Sequence, residues 1–146
     1  MKRYFNIPLA IVVLAGALIA SAQAQTGGAQ RVIASIPFTF TVGKATLPAG
    51  RYTISVLNPT SDRKILQIRS MDGRSNAITL TTGVFANAPE NAKLVFERYG
   101  DRYFFAQAQM AGDSTSLAAI RTKAERAYKH AMAKSTKKSV VVIVAE

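Results

Sequence analysis

The chain has 146 residues, 49% of them hydrophobic, no cysteine, and a formal charge of +11 at neutral pH. That length accommodates one domain with a real core and not two, and the lack of cysteine excludes disulfide stapling, thiol nucleophiles and thiolate metal sites. The charge excess points toward anionic partners.

Residues 1–24 read as a secretory signal peptide. Lys2 and Arg3 form a positive start, Ile7 to Ala20 an apolar stretch, and Ala22-Gln23-Ala24 a small-x-small cleavage site. A retained anchor would need roughly 20 apolar residues, and the uncharged stretch from Tyr4 contains Asn6 and Pro8, so removal is expected. Cleavage leaves 122 of the 146 residues, starts the working chain at Gln25, takes the charge from +11 to +9, and implies a periplasmic or extracellular location. Residues 25–30 are a small, polar, flexible lead-in. A single β-rich domain is expected over residues 31–146.

From Val32 the pattern alternates strictly: Val32, Ala34, Ile36, Phe38, Phe40 and Val42 share one face of a predicted strand. Pro37 cannot donate to a ladder, which predicts an edge strand or a bulge there. Gly43 closes the strand. Leu47-Pro48-Ala49-Gly50 predicts a turn in which Pro48 presets φ and Gly50 can accept a positive one, followed by a strand with Tyr52, Ile54 and Val56 on one face. Asn58 to Asp62 is turn-rich. Residues 64–70 and 76–82 then form a hairpin around Met71-Asp72-Gly73-Arg74, where Asp-Gly supplies positive φ.

Residues 83–91 read as a loop. The next hairpin, residues 92–99 and 102–110 around Gly100-Asp101, gathers Phe96, Tyr99, Tyr103, Phe104 and Phe105. A helix is predicted over residues 114–134, capped by Asp113 or Ser114, with Leu117, Ile120, Ala124, Ala127, Tyr128 and Ala131 as an apolar stripe against the sheet. Residues 135–139 form a basic linker. The unbroken apolar run at residues 140–145 predicts a final inner strand beneath the helix.

Few groups offer chemistry. The only histidine, His130, falls on the cationic helix and reads as a surface residue. No Gly-x-Ser-x-Gly elbow, phosphate-binding loop or HExxH occurs. No metal site and no cofactor is expected, since the acidic residues are scattered over turns. Glu90, Glu97 and Asp101 are the carboxylates from which a carbohydrate-active or other extracytoplasmic hydrolase would be built, but Glu97 lies near Lys93 and Arg98, where ion pairing explains it.

Binding is the stronger expectation. Arg121, Lys123, Arg126, Lys129, Lys134, Lys137 and Lys138 face only Glu125 in their stretch, a candidate polyanion contact or a solubilising face. Lipopolysaccharide or another anionic envelope component is the expected partner; nucleic acid is disfavoured by export and by the lack of interleaved aromatics. Tyr99, Tyr103 and Phe105 are a candidate ligand platform, weighed against ordinary sheet packing. A membrane barrel is disfavoured by outward faces rich in Thr, Ser, Gln and Arg.

Ile36-Pro37-Phe38-Thr39-Phe40-Thr41-Val42-Gly43, Leu47-Pro48-Ala49-Gly50-Arg51-Tyr52, Lys93-Leu94-Val95-Phe96, Tyr99-Gly100-Asp101 and Tyr103-Phe104 resemble a family of small exported proteins of acidobacterial type. The resemblance spans nearly the whole mature chain, implies a β-rich fold and a Gram-negative source, and carries no assigned activity. In that family a Leu-Pro pair precedes a Ser-x-x-Glu at the last helix; Thr122 and Glu125 match the second element as a capping box. Ala119-Ile120 stand in place of the pair, which favours the earlier helix start near Ser114. The Leu-Pro-Ala-Gly-x-Tyr turn also resembles those of immunoglobulin-like and carboxypeptidase-regulatory-like sandwiches. Together these readings give a mainly β fold: an antiparallel sandwich or half-open barrel of about seven strands with one C-terminal amphipathic basic helix, non-catalytic in role.

Overall fold

The computed structural model describes residues 30–135 and 137–146; the expected signal peptide, and the lead-in apart from Gln30, lie outside the described residues. Ten strands and one helix follow in the order β1 (Arg31–Ile36), β2 (Phe40–Val42), β3 (Ala45–Leu47), β4 (Gly50–Val56), β5 (Ile65–Ser70), β6 (Asn76–Phe85), β7 (Lys93–Tyr99), β8 (Arg102–Gln109), β9 (Thr115–Ala119), α1 (Lys123–Met132) and β10 (Ser139–Val144). The described residues are mainly β, with one short helix among them near the C-terminus.

The sheet forms an unclosed circuit. Strand β1 pairs with β4, β4 with β5, β5 with β6, β6 with β9, β9 with β8, β8 with β7 and β7 with β10, all antiparallel. Long β6 serves two neighbours in turn: residues 76–80 pair with β5 and residues 81–85 with β9. Strand β8 also pairs in parallel with β2, so the sheet is mixed rather than wholly antiparallel. Between β1 and β10 the backbone seam is bridged at its end by Glu146 N–H donating to the Ile33 carbonyl at 2.9 Å, and the Glu146 carboxylate pairs with Arg51 of neighbouring β4.

The expected alternation holds where it matters. Val32, Ala34, Ile36, Phe40 and Val42 are buried, as are Tyr52, Ile54 and Val56. Pro37 breaks the predicted strand in two: β1 ends at Ile36 on the free edge of the circuit, and β2 restarts at Phe40. Losing the N–H at Pro37 ends the ladder, and the chain turns to a new partner. Inside, Phe38 stacks on Tyr103 at 3.9 Å, and Phe40 and Phe96 meet edge to face at 5.3 Å. Complete burial of side chains such as Ile54 and Leu66 stabilises the fold by roughly 1.5–3 kcal/mol each.

Two turns are tied by their own side chains. Tyr52 Oη donates to the Pro48 carbonyl at 2.6 Å, which gives the Leu-Pro-Ala-Gly-Arg-Tyr stretch its role: a buried ring holds the turn that precedes its own strand. Gly50 opens β4 without using the positive φ open to it. In the β5–β6 hairpin Gly73 alone takes positive φ, while Asp72 Oδ1 accepts from Ser70 Oγ at 2.6 Å and Arg74 N–H at 3.0 Å. Those bonds, Ser70 first, hold the Asp72 carboxyl below its usual range.

Three boundaries differ from expectation. Residues 83–85, read as loop, continue β6; residues 115–119, read as helix, are β9; and β10 is an edge strand with Val140, Val142 and Val144 exposed, not an inner strand. Pairing with β6 and β8 overrides the helical spacing of residues 115–119, because sheet ladders supply backbone partners on both sides.

Candidate functional site: the helix face and its groove

Helix α1 docks on the outer face of β7 and β8 by charge, not by the predicted alanine stripe. Ala124, Ala127 and Ala131 are exposed, whereas Glu125 and Lys129 are 7% exposed and Tyr128 and Met132 are half-buried. The i, i+3, i+4, i+7 spacing of Glu125, Tyr128, Lys129 and Met132 sets them on one stripe. Thr122 caps the helix, its Oγ1 accepting from Glu125 N–H at 3.1 Å. Thr122 therefore marks the true start as the N-cap, and the earlier start near Ser114 does not occur.

Glu97 is the hub of this docking. It lies on the outer face of β7, where Lys129 Nζ donates to its Oε2 while Arg121 Nη2 lies 2.7 Å and Lys138 Nζ 2.8 Å from its Oε1. One carboxylate thus meets cations from before, within and after the helix. Lys129 also lies 2.7 Å from Glu125 Oε1, at an angle that leaves this buried oxygen without a hydrogen bond. Burial alone would raise the Glu97 carboxyl, but bonds from Lys129 and Lys138 and the charges of Lys129 and Arg121 outweigh it and hold Glu97 below the usual range.

Aromatic rings complete the layer. Lys129 Nζ sits 5.3 Å from the centroids of both Tyr99 and Phe104, and the Arg102 guanidinium lies 4.6 Å from the Tyr128 ring and 5.4 Å from Phe104. Such contacts are worth about 0.5–2 kcal/mol each, more where water is excluded.

This arrangement divides the residues singled out in the sequence. Of the seven cations, Arg121, Lys129 and Lys138 are occupied by Glu97, and Lys129 is buried; Lys123, Arg126, Lys134 and Lys137 are exposed and make no ion pair among the described residues. The proposed aromatic platform does not assemble. Tyr99 is buried beneath the helix, Phe105 is buried in the core, and Tyr103 is stacked on Phe38 inside the circuit. The register explains it, because Tyr99 pairs with Arg102 and so shares the outer face with Arg102 and Phe104, opposite Tyr103 and Phe105.

The β7–β8 ladder also carries a bulge. Phe96 pairs with Phe105 but Val95 with Gln107, so Ala106 is the extra residue.

Of the hydrolase carboxylates, Glu90 and Asp101 are exposed and Glu97 is enclosed by its cations rather than by Lys93 and Arg98. His130 is exposed on α1, and no cluster of three or more His, Asp or Glu residues able to hold a metal occurs among the described residues. No helix among the described residues is long and apolar enough to cross a membrane.

Beside the helix start runs a groove of about 650 Å³ between α1 and the β2–β3 hairpin. Its apolar wall includes Phe104, Ala124, Ala127 and Tyr128, and Lys44, Arg102 and Lys123 reach it from three different segments. Sequence reading missed it because Lys44 and Arg102 lie 58 positions apart in the chain; only the parallel β2–β8 pairing brings their segments together. The chain matches no protein-family model, no curated protein and no solved structure.

Proposed function

We propose that the protein is an exported, non-catalytic binding or structural module of the acidobacterial type, located in the periplasm or outside the cell, whose helix-side surface makes weak contact with an anionic envelope component such as lipopolysaccharide. The single observation that carries the contact is the set of four exposed cations, Lys123, Arg126, Lys134 and Lys137, left over once Glu97 has taken its three. Support for export comes from the charge and apolar pattern of residues 1–24. The non-catalytic reading rests on Glu97, whose lone pairs are already directed at Arg121, Lys129 and Lys138.

Immobilised lipopolysaccharide tests the contact. Retention at low ionic strength should vanish near 0.5 M salt, where screening acts within roughly 3–5 Å, and the triple variant Arg126→Gln, Lys134→Gln, Lys137→Gln should elute earlier. Retention that ignores both salt and these substitutions would refute the reading. Hydrolysis of a cell-wall glycan by the purified protein, abolished by Glu97→Gln in a sample that remains folded, would favour the hydrolase instead.

A further inference from the structure

We propose that the groove between α1 and the β2–β3 hairpin binds a single-chain acyl carboxylate. This is a site for a small amphiphile that shares only Lys123 with the polyanion contact, and it stands whether or not that contact exists. The volume of about 650 Å³ falls inside the range of roughly 300–1,000 Å³ typical of small-molecule sites.

Charge selects the head group. Lys44, Arg102 and Lys123 line one groove, all three are exposed, and none makes an ion pair among the described residues. The only acid in the lining, Glu125, lies against Lys129, so its charge is met from behind the groove. Arg102 is held by its rings, 4.6 Å from Tyr128 and 5.4 Å from Phe104, and this stacking orients the planar guanidinium whose paired N–H groups match a carboxylate.

The wall selects the tail. Phe104, Ala124, Ala127 and Tyr128 supply the apolar part of the lining, with Arg102 lying against its two rings. Both ring residues already carry Arg102 against them, and Phe104 is 2% exposed, so little aromatic face is left for a stacked ring. Two alanines on a helix leave instead a shallow trough suited to a flexible chain. A polyanion would gain nothing from this wall; an acyl anion gains from both parts.

The test is calorimetric titration of the purified protein with decanoate, 1-decanol, acetate and decyl phosphate. Decanoate should bind saturably, and 1-decanol and acetate roughly tenfold or more weakly, the loss expected when a charge-assisted contact or the apolar burial is removed. Lys44→Gln and Arg102→Gln should each weaken decanoate, and Ala127→Phe should block it by filling the trough. Lys44→Gln and Ala127→Phe should keep the melting transition of the parent, Arg102→Gln should melt lower because it gives up its two ring contacts, and all three should keep the lipopolysaccharide retention, which separates failure of this site from failure of the polyanion contact. Absence of saturable decanoate binding, equal affinity in all three variants, or tighter binding of decyl phosphate than of decanoate would overturn the assignment.

Discussion

Glu97 concentrates most of the electrostatics of the molecule in one side chain. A carboxylate only 6% exposed is tolerable because Lys129, Arg121 and Lys138 replace the water it loses. Glu97→Gln keeps the shape and removes the charge, leaving Lys129 with Glu125 alone. The expected cost is about 3 kcal/mol, at the lower end for a broken buried pair because Arg121 and Lys138 are 45% and 46% exposed and can turn to solvent. Urea unfolding at neutral pH measures it. The same residue sets an acid limb: its folded pKa lies below the unfolded one, about 4.3, so its contribution is complete above that unfolded value and is lost as the pH falls through the lowered folded value. The urea midpoint of the parent should therefore drop on acidification, and that of Glu97→Gln should drop less. Parallel curves would mean that Glu97 does not govern the acid limb.

Helix α1 is held at its start by a cap and along its length by ions, which makes its energetics separable. Thr122→Ala removes the Oγ1 acceptor of Glu125 N–H and should cost about 1 kcal/mol, read as a lowered urea midpoint with the sheet signal intact; an unchanged midpoint would show that the cap is dispensable. The element also shows what sequence could convey. The Thr122-to-Glu125 spacing announced the cap, alternation announced β4 and the run that Pro37 splits into β1 and β2, and the Asp72-Gly73 and Gly100-Asp101 turns announced the two long hairpins, because those signals are local. Residues 115–119 carried a helical spacing and became β9, since the partners that decide it, Thr81 to Phe85 and Gln107 to Gln109, are remote. The candidate site was legible only in its composition. Seven cations were visible, but which of them Glu97 captures depends on a β7 residue facing the helix, and Lys44 and Arg102 join the groove only through a parallel pairing that no turn signals.

At the scale of the whole molecule, the open seam is the structural weakness that the circuit leaves. Strand β10 pairs with β7 on one side, and on the other Glu146, just beyond its far end, bonds to Ile33 of β1 and pairs with Arg51 of β4. Its outward side chains, Val140, Val142 and Val144, are 57%, 50% and 57% exposed, and the six residues carry no charge. A flat, β-branched, uncharged edge is a template for pairing with another chain. Inserting a charge at its centre should block that pairing at little cost, because the valine being replaced is already half in water. Val142→Lys is therefore expected to slow aggregation of concentrated protein on warming, followed by light scattering, while moving stability by no more than about 0.5 kcal/mol, the usual effect at an exposed site. The inward neighbours Val141 and Ile143 pack against the core, so the same charge placed at either should unfold the protein rather than protect it. If Val142→Lys aggregates as fast as the parent at equal stability, the seam is already shielded and the aggregation nucleus lies elsewhere, with exposed Phe85 at the end of β6 the next apolar group to substitute.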